Sequence, residues 1–502
     1  MNKTKICLTL TCKTIQEDLK IIEKYRPYID MVELRADYLE EDECLHIRQF
    51  PRLANIPCIL TIRRRIDGGL YVGGESARTM LFARAMAFAD QNKKNNFAYV
   101  DFEDDFHIPS LQDACMAFGT RIIRSMHDMN NPVYDIIEKC NSMRKTGYEI
   151  PKIAFQPHTL DDVTHLFEVT KNFTDYDHIL CAMGSLGTPS RILAHKTHSF
   201  LTYTSAPENL SNTNVIGHLD PITLHNIYHF KDLNDDTKIF GITGWPLAHT
   251  LSPELHNKGY KKHGMNCVYI PIRTPKLSEA MNFCDKVGVQ GMSVTVPHKE
   301  TVLPELARID EEVADIRASN TIVKEAGQWC GYNTDASGFM TALKEFLGVD
   351  KLRHRRVAII GAGGAARAIA YAIKKLGGKA CIFNRTLINA KIIADKYGFK
   401  YAPLAQDSVY DLEMYSDIII QTTSVGNGYF GPSNESNDPL YFYNFKGNEN
   451  VYDIIYSPEI TPMMSRAIAS GCHVSNGYSM LRHQGYKQFK LFTGEEYGDD
   501  TN

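Results

Sequence analysis

Met31-Val-Glu-Leu-Arg-Ala36 is the stretch that decides the fold of the first half of the chain. Side chains alternate faces along a strand, so Val32, Leu34 and Ala36 share one face and Glu33 and Arg35 the other. The apolar face suits a layer of outer helices. The charged face then points into an enclosed interior, where charges are costly unless paired or engaged in function. Other runs repeat the beat. Ile59-Leu-Thr-Ile-Arg63 brings an arginine to its end, and Arg124-Ser-Met-His-Asp128 brings a histidine. In Ile150-Pro-Lys-Ile-Ala-Phe155, Lys152 and Ala154 share one face and Ile153 and Phe155 the other.

Working outward, short β-rich apolar runs begin near Lys5, Asp30, Pro57, Phe97, Thr120, Pro151, Asp177 and His198. Segments of helical periodicity separate most of them, such as 14–25, 76–91, 133–144 and 160–171. Strand alternating with helix predicts parallel βα units. Eight such units over the first ~230 residues predict an α/β chain that begins with a closed (βα)8 TIM barrel. An open doubly wound sheet is the alternative; polar residues inside the strands favour the barrel, which gathers catalytic side chains from several strand ends. A single strand lysine is more often a snorkelling residue than a nucleophile, and a lone histidine more often structural. Glu33, Arg35, Arg63, His127, Lys152 and Arg191 on successive units of one barrel are harder to dismiss in that way.

The chain has 502 residues, with 55 Lys+Arg against 59 Asp+Glu, a formal net charge of −4. That near-neutral balance offers no strong pull towards nucleic acid or an anionic membrane. With 43% apolar and 23% charged residues, the composition is that of a globular protein. The twelve cysteines show no C-x-x-C and read as reduced thiols rather than a disulfide or zinc framework. The segment before the first strand lacks the apolar block and cleavage region of a signal peptide, so no leader is expected, and the most apolar longer stretch, from Val357 to Ile373, is interrupted by glycines and Arg367. A cytoplasmic protein is expected. His225 and His229 have i,i+4 spacing but no third ligand motif, so they read as a structural helix pair and no metal is expected.

The polar break Asp232-Leu-Asn-Asp-Asp-Thr237 separates the halves. In the second half, Arg356-Val-Ala-Ile-Ile-Gly-Ala-Gly-Gly-Ala-Ala-Arg-Ala-Ile-Ala370 runs an apolar strand into a glycine turn and an alanine-rich helix. Gly361 permits the turn, Gly363 lets backbone approach a pyrophosphate, Ala366 replaces the third glycine at the packing position, and the helix N-terminus favours phosphate; Gly364 and Ala365 join them as candidate cofactor contacts. The next strand ends at Asn384-Arg385-Thr386, about 20 residues on, where NAD sites carry an acidic residue for the ribose hydroxyls. Arg385 suits a 2′-phosphate instead, so NADP (as NADPH) is the expected cofactor.

The motifs of the first half resemble type I 3-dehydroquinate dehydratase over roughly residues 5–230. They are Glu33-Leu-Arg-Ala-Asp37, Thr61-Ile-Arg63 with Asp67-Gly-Gly69, Ser125-Met-His-Asp128, Lys152-Ile-Ala154 and Met183-Gly-Ser-Leu-Gly-Thr-Pro-Ser-Arg191. The resemblance implies that Lys152 forms a Schiff base with the substrate ketone and that His127 moves protons. It also implies that Glu33, Arg35, Arg63 and Arg191 bind the carboxylate and hydroxyls. Asn214-Val-Ile-Gly-His218 stands where the family has a loop over the substrate, so Asn214 and His218 are candidate contacts. The chemistry is sound: burial favours a neutral, nucleophilic lysine amine, its imine acidifies the adjacent carbon, and a histidine can shuttle the proton.

The second half, about residues 238–495, resembles shikimate dehydrogenase. Gly241-Ile-Thr-Gly-Trp-Pro-Leu-Ala-His-Thr-Leu-Ser-Pro253 resembles its substrate loop, with Thr250 and Ser252 as contacts. Gly291-Met-Ser-Val-Thr-Val-Pro-His-Lys299, Ala318-Ser-Asn-Thr321 and Gly331-Tyr-Asn-Thr-Asp335 supply Thr295, Lys299, Asn320 and Asp335. Thr422-Thr-Ser-Val-Gly426, Tyr452-Asp-Ile-Ile-Tyr456 and Gly477-Tyr-Ser-Met-Leu-Arg-His-Gln484 complete the set. The resemblance implies a catalytic Lys299–Asp335 pair. Ser252, Thr295, Asn320 and Gln484 would hydrogen-bond the substrate. Thr423, Tyr456 and Gly477 would join the glycine loop and Asn384–Thr386 around NADP.

Three parts are expected: a barrel over 1–232, a substrate-binding domain over 238–344 rejoined by 477–502, and a Rossmann-type nucleotide domain over 345–476. Together the two resemblances imply an enzyme that dehydrates 3-dehydroquinate and then reduces the product, 3-dehydroshikimate, to shikimate. Its partners would be these small molecules. Quinate oxidation is the nearest enzymatic alternative, which Ser252 and Thr295 disfavour. A binding protein that has lost the chemistry is a second, which Lys152, His127, Lys299 and Asp335 disfavour.

Overall fold

A computed structural model describes residues 3–87, 90–209, 219–247, 250–429 and 431–498. The chain divides into two compact units, Met1–Ile239 with Gly264–Val289, and Phe240–His263 with Gln290–Asn502.

The first unit contains strands β1 (Lys5–Leu10), β2 (Met31–Arg35), β3 (Cys58–Thr61), β4 (Tyr99–Glu103), β5 (Arg121–Asp128), β6 (Ile150–Phe155), β7 (Ile179–Ala182) and β8 (Leu201–Ser205). They follow in order around one sheet, with β8 returning to pair with β1 in parallel. A parallel bridge between His178 and Ser199 joins the β7 and β8 ends. The predicted barrel is therefore present, and seven of the eight strands start within two residues of the expected points, β8 within three. Helices Ile15–Tyr25, Glu75–Met86, Ile136–Met143 and Leu160–Thr170 occupy the predicted helical segments. Thr14 caps the first by accepting from Glu17 N, and Thr159 and Asp162 form a capping box on the last.

One layer of the barrel interior is apolar: Cys7, Met31, Ile59, Tyr99, Ile123, Ile150, Ile179, Leu201 and Tyr203 form a single cluster. Met31 lies on the same strand face as Glu33 and Arg35, and Ile150 on the same face as Lys152. The alternation read from the sequence thus puts oil at one level of the interior and charge at the next. All twelve cysteines are free thiols. The His225–His229 helix pair does not form. The helix there is Pro221–Asn226, and His229 lies beyond its end with a left-handed φ of 47°.

Strand β10 (Cys267–Arg273) and helix Leu277–Val287 cluster with this first unit. In the second unit, strands β9 (Lys238–Gly244), β11 (Val289–Val294), β13 (Thr321–Glu325), β14 (Gln328–Tyr332) and β12 (Arg308–Ile309) neighbour one another in that order. β11 and β14 each pair antiparallel to β13. The third sheet is parallel, in the order β17 (Lys400–Pro403), β16 (Lys379–Asn384), β15 (Arg356–Ile360), β18 (Ile418–Gln421), β19 (Asn450–Asp453) and β20 (His473–Ser475). The chain order reverses beside β15, the switch point at which such sheets bind ligands. Among the described residues no helix is long and apolar enough to cross a membrane.

Candidate active sites

In the barrel, β6 carries Lys152 inward, where the residue is 5% exposed. Its Nζ donates to Asp101 Oδ2 at 2.9 Å and lies 3.7 Å from Glu33 Oε1 and 4.4 Å from the Tyr203 ring centre. Glu33 also accepts from Thr9 Oγ1 at 3.1 Å and Thr61 Oγ1 at 2.8 Å. Arg63 is buried against two carboxylates, Asp101 at 2.8 Å and Glu103 at 2.7 Å. Ser125 Oγ donates to the other oxygen of Asp101 at 2.5 Å. Burial opposes the Asp101 charge, but Arg63 and Lys152 beside it hold its carboxyl well below the ordinary range.

Arg35 does not pair with Glu33. It forms a bidentate pair with Asp37 at 2.9 and 2.8 Å, and Asp37 also accepts from the backbone of Arg63 and Leu70. Asp37 thereby ties the end of β2 to the loop after β3.

His127 sits near the end of β5. Burial, with the cations Arg63 and Lys152 nearby, pushes its pKa well below the usual histidine value, so the ring is neutral. Its Nδ1 is buried without a hydrogen-bond partner. Arg191, in the short helix Thr188–Ile192, is 2% exposed, and its Nε and Nη1 also lack partners. A buried polar atom left unsatisfied is accounted for by strain, a catalytic role, or an ordered water or ion. Lys152, His127, Arg63, Arg35, Glu33 and Arg191 thus belong to one unit with open donors among them. Asn214 and His218 lie outside the described residues. The sequence reading missed Asp101 and Glu103. The signal was present: in Tyr99-Val-Asp-Phe-Glu103 the two acids alternate with Val100 and Phe102, as Glu33 and Arg35 do in β2.

The second constellation is in the other unit. Lys299 Nζ donates to Asp335 Oδ2 at 2.5 Å. Asp335 opens helix Asp335–Leu347, and its other oxygen accepts from Asn320 Nδ2 at 2.9 Å. The same amide group donates to Thr334 Oγ1 at 2.8 Å and Gln484 Oε1 at 3.2 Å. Gln484 is brought there by helix Tyr478–Thr493, which passes so close that a Cβ on Gly338 would lie 2.7 Å from Gln484 Cβ. Thr295 packs over Gly244, where a Cβ would meet its methyl at 2.4 Å. Ser252 is buried at the start of helix Ser252–Lys262, and its N–H donates to Thr250 Oγ1 at 3.3 Å. The half-buried Tyr456 interacts with Thr250, and burial raises its phenol pKa. Thr334 and Gln488 were not singled out from sequence. Gln488 Nε2 holds Thr321 Oγ1 at 2.9 Å and so braces the strand beginning beside Asn320.

The glycine turn follows β15. Gly361 has φ +111°, and a Cβ there would collide with Thr422 Oγ1 at 2.6 Å, so only glycine serves. Thr422 is itself fixed by donating to Ile360 O at 2.7 Å, which places Thr423 beside the turn. Gly363 caps helix Gly364–Leu376 without any side-chain cap. A Cβ on Gly363 would meet nothing within 4 Å, so a ligand could approach the backbone closely there, at a helix N-terminus that favours phosphate. Ala365 lies in that first turn. Gly364 faces Lys299, whose Cβ is 3.1 Å from where a Gly364 Cβ would stand. Asn384 Nδ2 donates to Thr386 O at 2.9 Å, which shapes the turn at the end of β16 and leaves Arg385 exposed. Gly477 allows Ile454 O to approach to 1.9 Å of a would-be Cβ, bringing the start of the last helix against the end of β19. The residues present fit a phosphate-bearing dinucleotide.

Comparison with known proteins agrees with this geometry. Residues 6–235 match the family model for type I 3-dehydroquinase. Residues 242–322 match the shikimate dehydrogenase substrate binding domain, and 342–434 match shikimate / quinate 5-dehydrogenase. The chloroplastic bifunctional 3-dehydroquinate dehydratase/shikimate dehydrogenase of Arabidopsis thaliana is 30% identical over 520 residues, covering 98% of this chain and 82% of that protein. The NADP(+) shikimate dehydrogenase of Caldanaerobacter subterraneus is 37% identical over 275 residues, 53% of this chain and 96% of its own. The solved dehydroquinate dehydratase and shikimate dehydrogenase from S. pombe covers 99% of the chain at 24% identity, with a TM-score of 0.41. With one such relative matched over 98% of this chain and 82% of its own length, and each half matched by its own family models, the chain belongs to the bifunctional 3-dehydroquinate dehydratase/shikimate dehydrogenase family.

Proposed function

We propose that the barrel dehydrates 3-dehydroquinate through an imine on Lys152, and that the second unit reduces 3-dehydroshikimate to shikimate at Lys299 and Asp335. The observation that supports the first step is a buried lysine side chain in one unit with a neutral histidine and an arginine whose Nε and Nη1 lack partners among the described residues. Starting from the ammonium beside Asp101, Lys152 passes two protons to the ketone oxygen as its nitrogen adds to the ketone carbon; that oxygen leaves as water, and the protonated imine keeps the remaining N–H. That imine draws electrons from the neighbouring carbon, and neutral His127 takes the proton released there. The hydroxyl one carbon further leaves as water, with the proton from His127. Hydrolysis of the imine then frees the product and restores Lys152. Arg191 would hold the substrate carboxylate, and Arg35, Arg63 and Glu33 its polar edge.

In the second unit, NADPH when bound supplies the hydride. Gly361, Gly363, Gly364, Ala365 and Thr423 would seat its pyrophosphate, and Asn384, Arg385 and Thr386 its 2′-phosphate. Tyr456 and Gly477 would flank the nicotinamide end. Lys299 donates a proton to the carbonyl oxygen as that oxygen becomes a hydroxyl. Asp335, held by Asn320, keeps the ammonium aimed at it. Ser252, Thr250, Thr295, Asn320 and Gln484 orient the ring. The domain limits 1–232, 238–344 with 477–502, and 345–476 and a cytoplasmic location belong to the same reading; limited proteolysis and cell fractionation test them.

The deciding experiment is borohydride trapping. With 3-dehydroquinate present, one adduct should appear on Lys152 by intact-mass analysis and be absent in Lys152→Ala, while that variant still reduces 3-dehydroshikimate. Full dehydratase activity in Lys152→Ala would refute the imine route.

A further inference from the structure

Residues Gly264–Val289 cluster with the barrel although they lie inside the stretch matched as the dehydrogenase substrate binding domain. Among their contacts with the barrel are two that involve its helices. Helix Leu277–Val287 packs along helix Leu160–Thr170, the helix that follows β6 and Lys152. Phe283 meets Phe167 edge to face with ring centres 5.8 Å apart. Asn282 Nδ2 donates to Asp161 at 2.7 Å, and Lys286 pairs with Glu168 at 2.5 Å. The buried Glu279 accepts from Leu160 N at 3.1 Å, so a carboxylate from outside the barrel's own sequence serves the start of that helix.

The second of these contacts bears on the dehydratase chemistry. Arg273, the last residue of β10, donates from Nη1 to Thr188 Oγ1 at 3.1 Å. Thr188 begins the five-residue helix that carries Arg191, and its hydroxyl donates onward to Ser185 O at 2.9 Å. Arg191 lies three residues later, about one helical turn. Two of its guanidinium nitrogens have no hydrogen-bond partner among the described residues, so its aim depends on the backbone that carries it. A helix this short has little stiffness of its own and takes its position from its anchors.

We infer that Arg273 is a positioning residue for the dehydratase, holding through Thr188 the turn that aims Arg191 at the substrate carboxylate. The inference rests on the reading of Arg191 as the carboxylate ligand. Arg273 touches no reacting atom, so its loss acts on substrate binding more than on turnover.

The test uses the full chain and measures dehydratase kinetics in Arg273→Ala, Arg273→Lys, Thr188→Val, Arg191→Ala and the double variant Arg273→Ala/Arg191→Ala. Arg273→Ala and Thr188→Val should each raise KM about threefold to thirtyfold, with a smaller change in kcat. Thr188→Val removes the same bond from the barrel side, and serves if Arg273→Ala does not fold. Arg273→Lys, which keeps one donor, should recover part of the loss. In the Arg191→Ala background, Arg273→Ala should add nothing, because two residues acting through one contact are not additive. If Arg191→Ala raises KM but Thr188→Val and Arg273→Ala do not, the positioning role is refuted and the ligand assignment stands. If Arg191→Ala leaves KM unchanged, the ligand assignment fails and the inference with it. An equal rise in both backgrounds would make Arg273 a general support and also refute the inference.

Discussion

Lys299→Ala is the perturbation whose outcome the geometry specifies most fully. The ammonium lies 2.5 Å from Asp335 Oδ2, and Asn320 holds the other carboxylate oxygen at 2.9 Å. Removing the ammonium takes away the proposed proton donor, a loss of about 10²–10⁴ in rate for a positioned acid. It also leaves the Asp335 charge facing an oxygen that becomes negative during hydride transfer. At about 4 Å and an effective dielectric of about 20, two unit charges repel by roughly 4 kcal/mol, or about a thousandfold. The two losses overlap, so a fall in kcat of about 10³–10⁴ is expected. Cofactor affinity should hardly move, because alanine keeps the Cβ that lies 3.1 Å from the Gly364 Cβ position. The double variant Lys299→Ala/Asp335→Ala removes the uncompensated charge and should be no slower than the single one. Turnover is read by NADPH consumption with saturating 3-dehydroshikimate, and NADPH affinity by fluorescence titration. A kcat within tenfold of the native value, or a loss of affinity larger than the loss of turnover, would assign the proton donor elsewhere.

Arg385 is exposed at the end of β16, so Arg385→Ala should raise KM for NADPH about tenfold and leave that for NADH unchanged. Added salt should narrow the NADPH preference of the native enzyme, and equal loss with both cofactors would disprove the contact. The dehydratase pH profile should keep its activity below pH ~6.5 on the acid side, because the folded His127 pKa is pushed below the ordinary histidine value and the ring stays a base there. An acid limb centred at or above that value would show that another group, or a differently placed histidine, takes the proton.

Much of the candidate site in the barrel is readable in the sequence because strand geometry is local. Once Val32 and Leu34 are assigned to the outside, Glu33 and Arg35 have nowhere to go but in, and the same logic places Lys152. The partners were not readable. Glu33 and Arg35, two residues apart, suggest each other, yet Arg35 turns to Asp37 and Glu33 to Thr9, Thr61 and Lys152. The carboxylate nearest Lys152 is Asp101, 51 residues away, which meets it only when the barrel curves β4 and β6 towards a common axis. His225 and His229 show the opposite error: a helical spacing was assumed to continue where the helix ends at Asn226.

In the second half, the strand, the glycine turn and the helix after it follow from the sequence, because φ preference and helix capping act between neighbours. Gly361 in particular is dictated by its left-handed φ. The meeting of Asn320, Thr334, Asp335 and Gln484 is not local. It depends on helix Tyr478–Thr493 returning against Gly338, a close approach that only a missing Cβ permits. The clustering of residues 264–289 with the barrel, and with it the bond from Arg273 to Thr188, is likewise decided by tertiary structure alone. Alternation and turn chemistry are properties of successive residues and can be read along the chain. Which donor meets which acceptor is a property of packed surfaces far apart in sequence, and no local pattern encodes it.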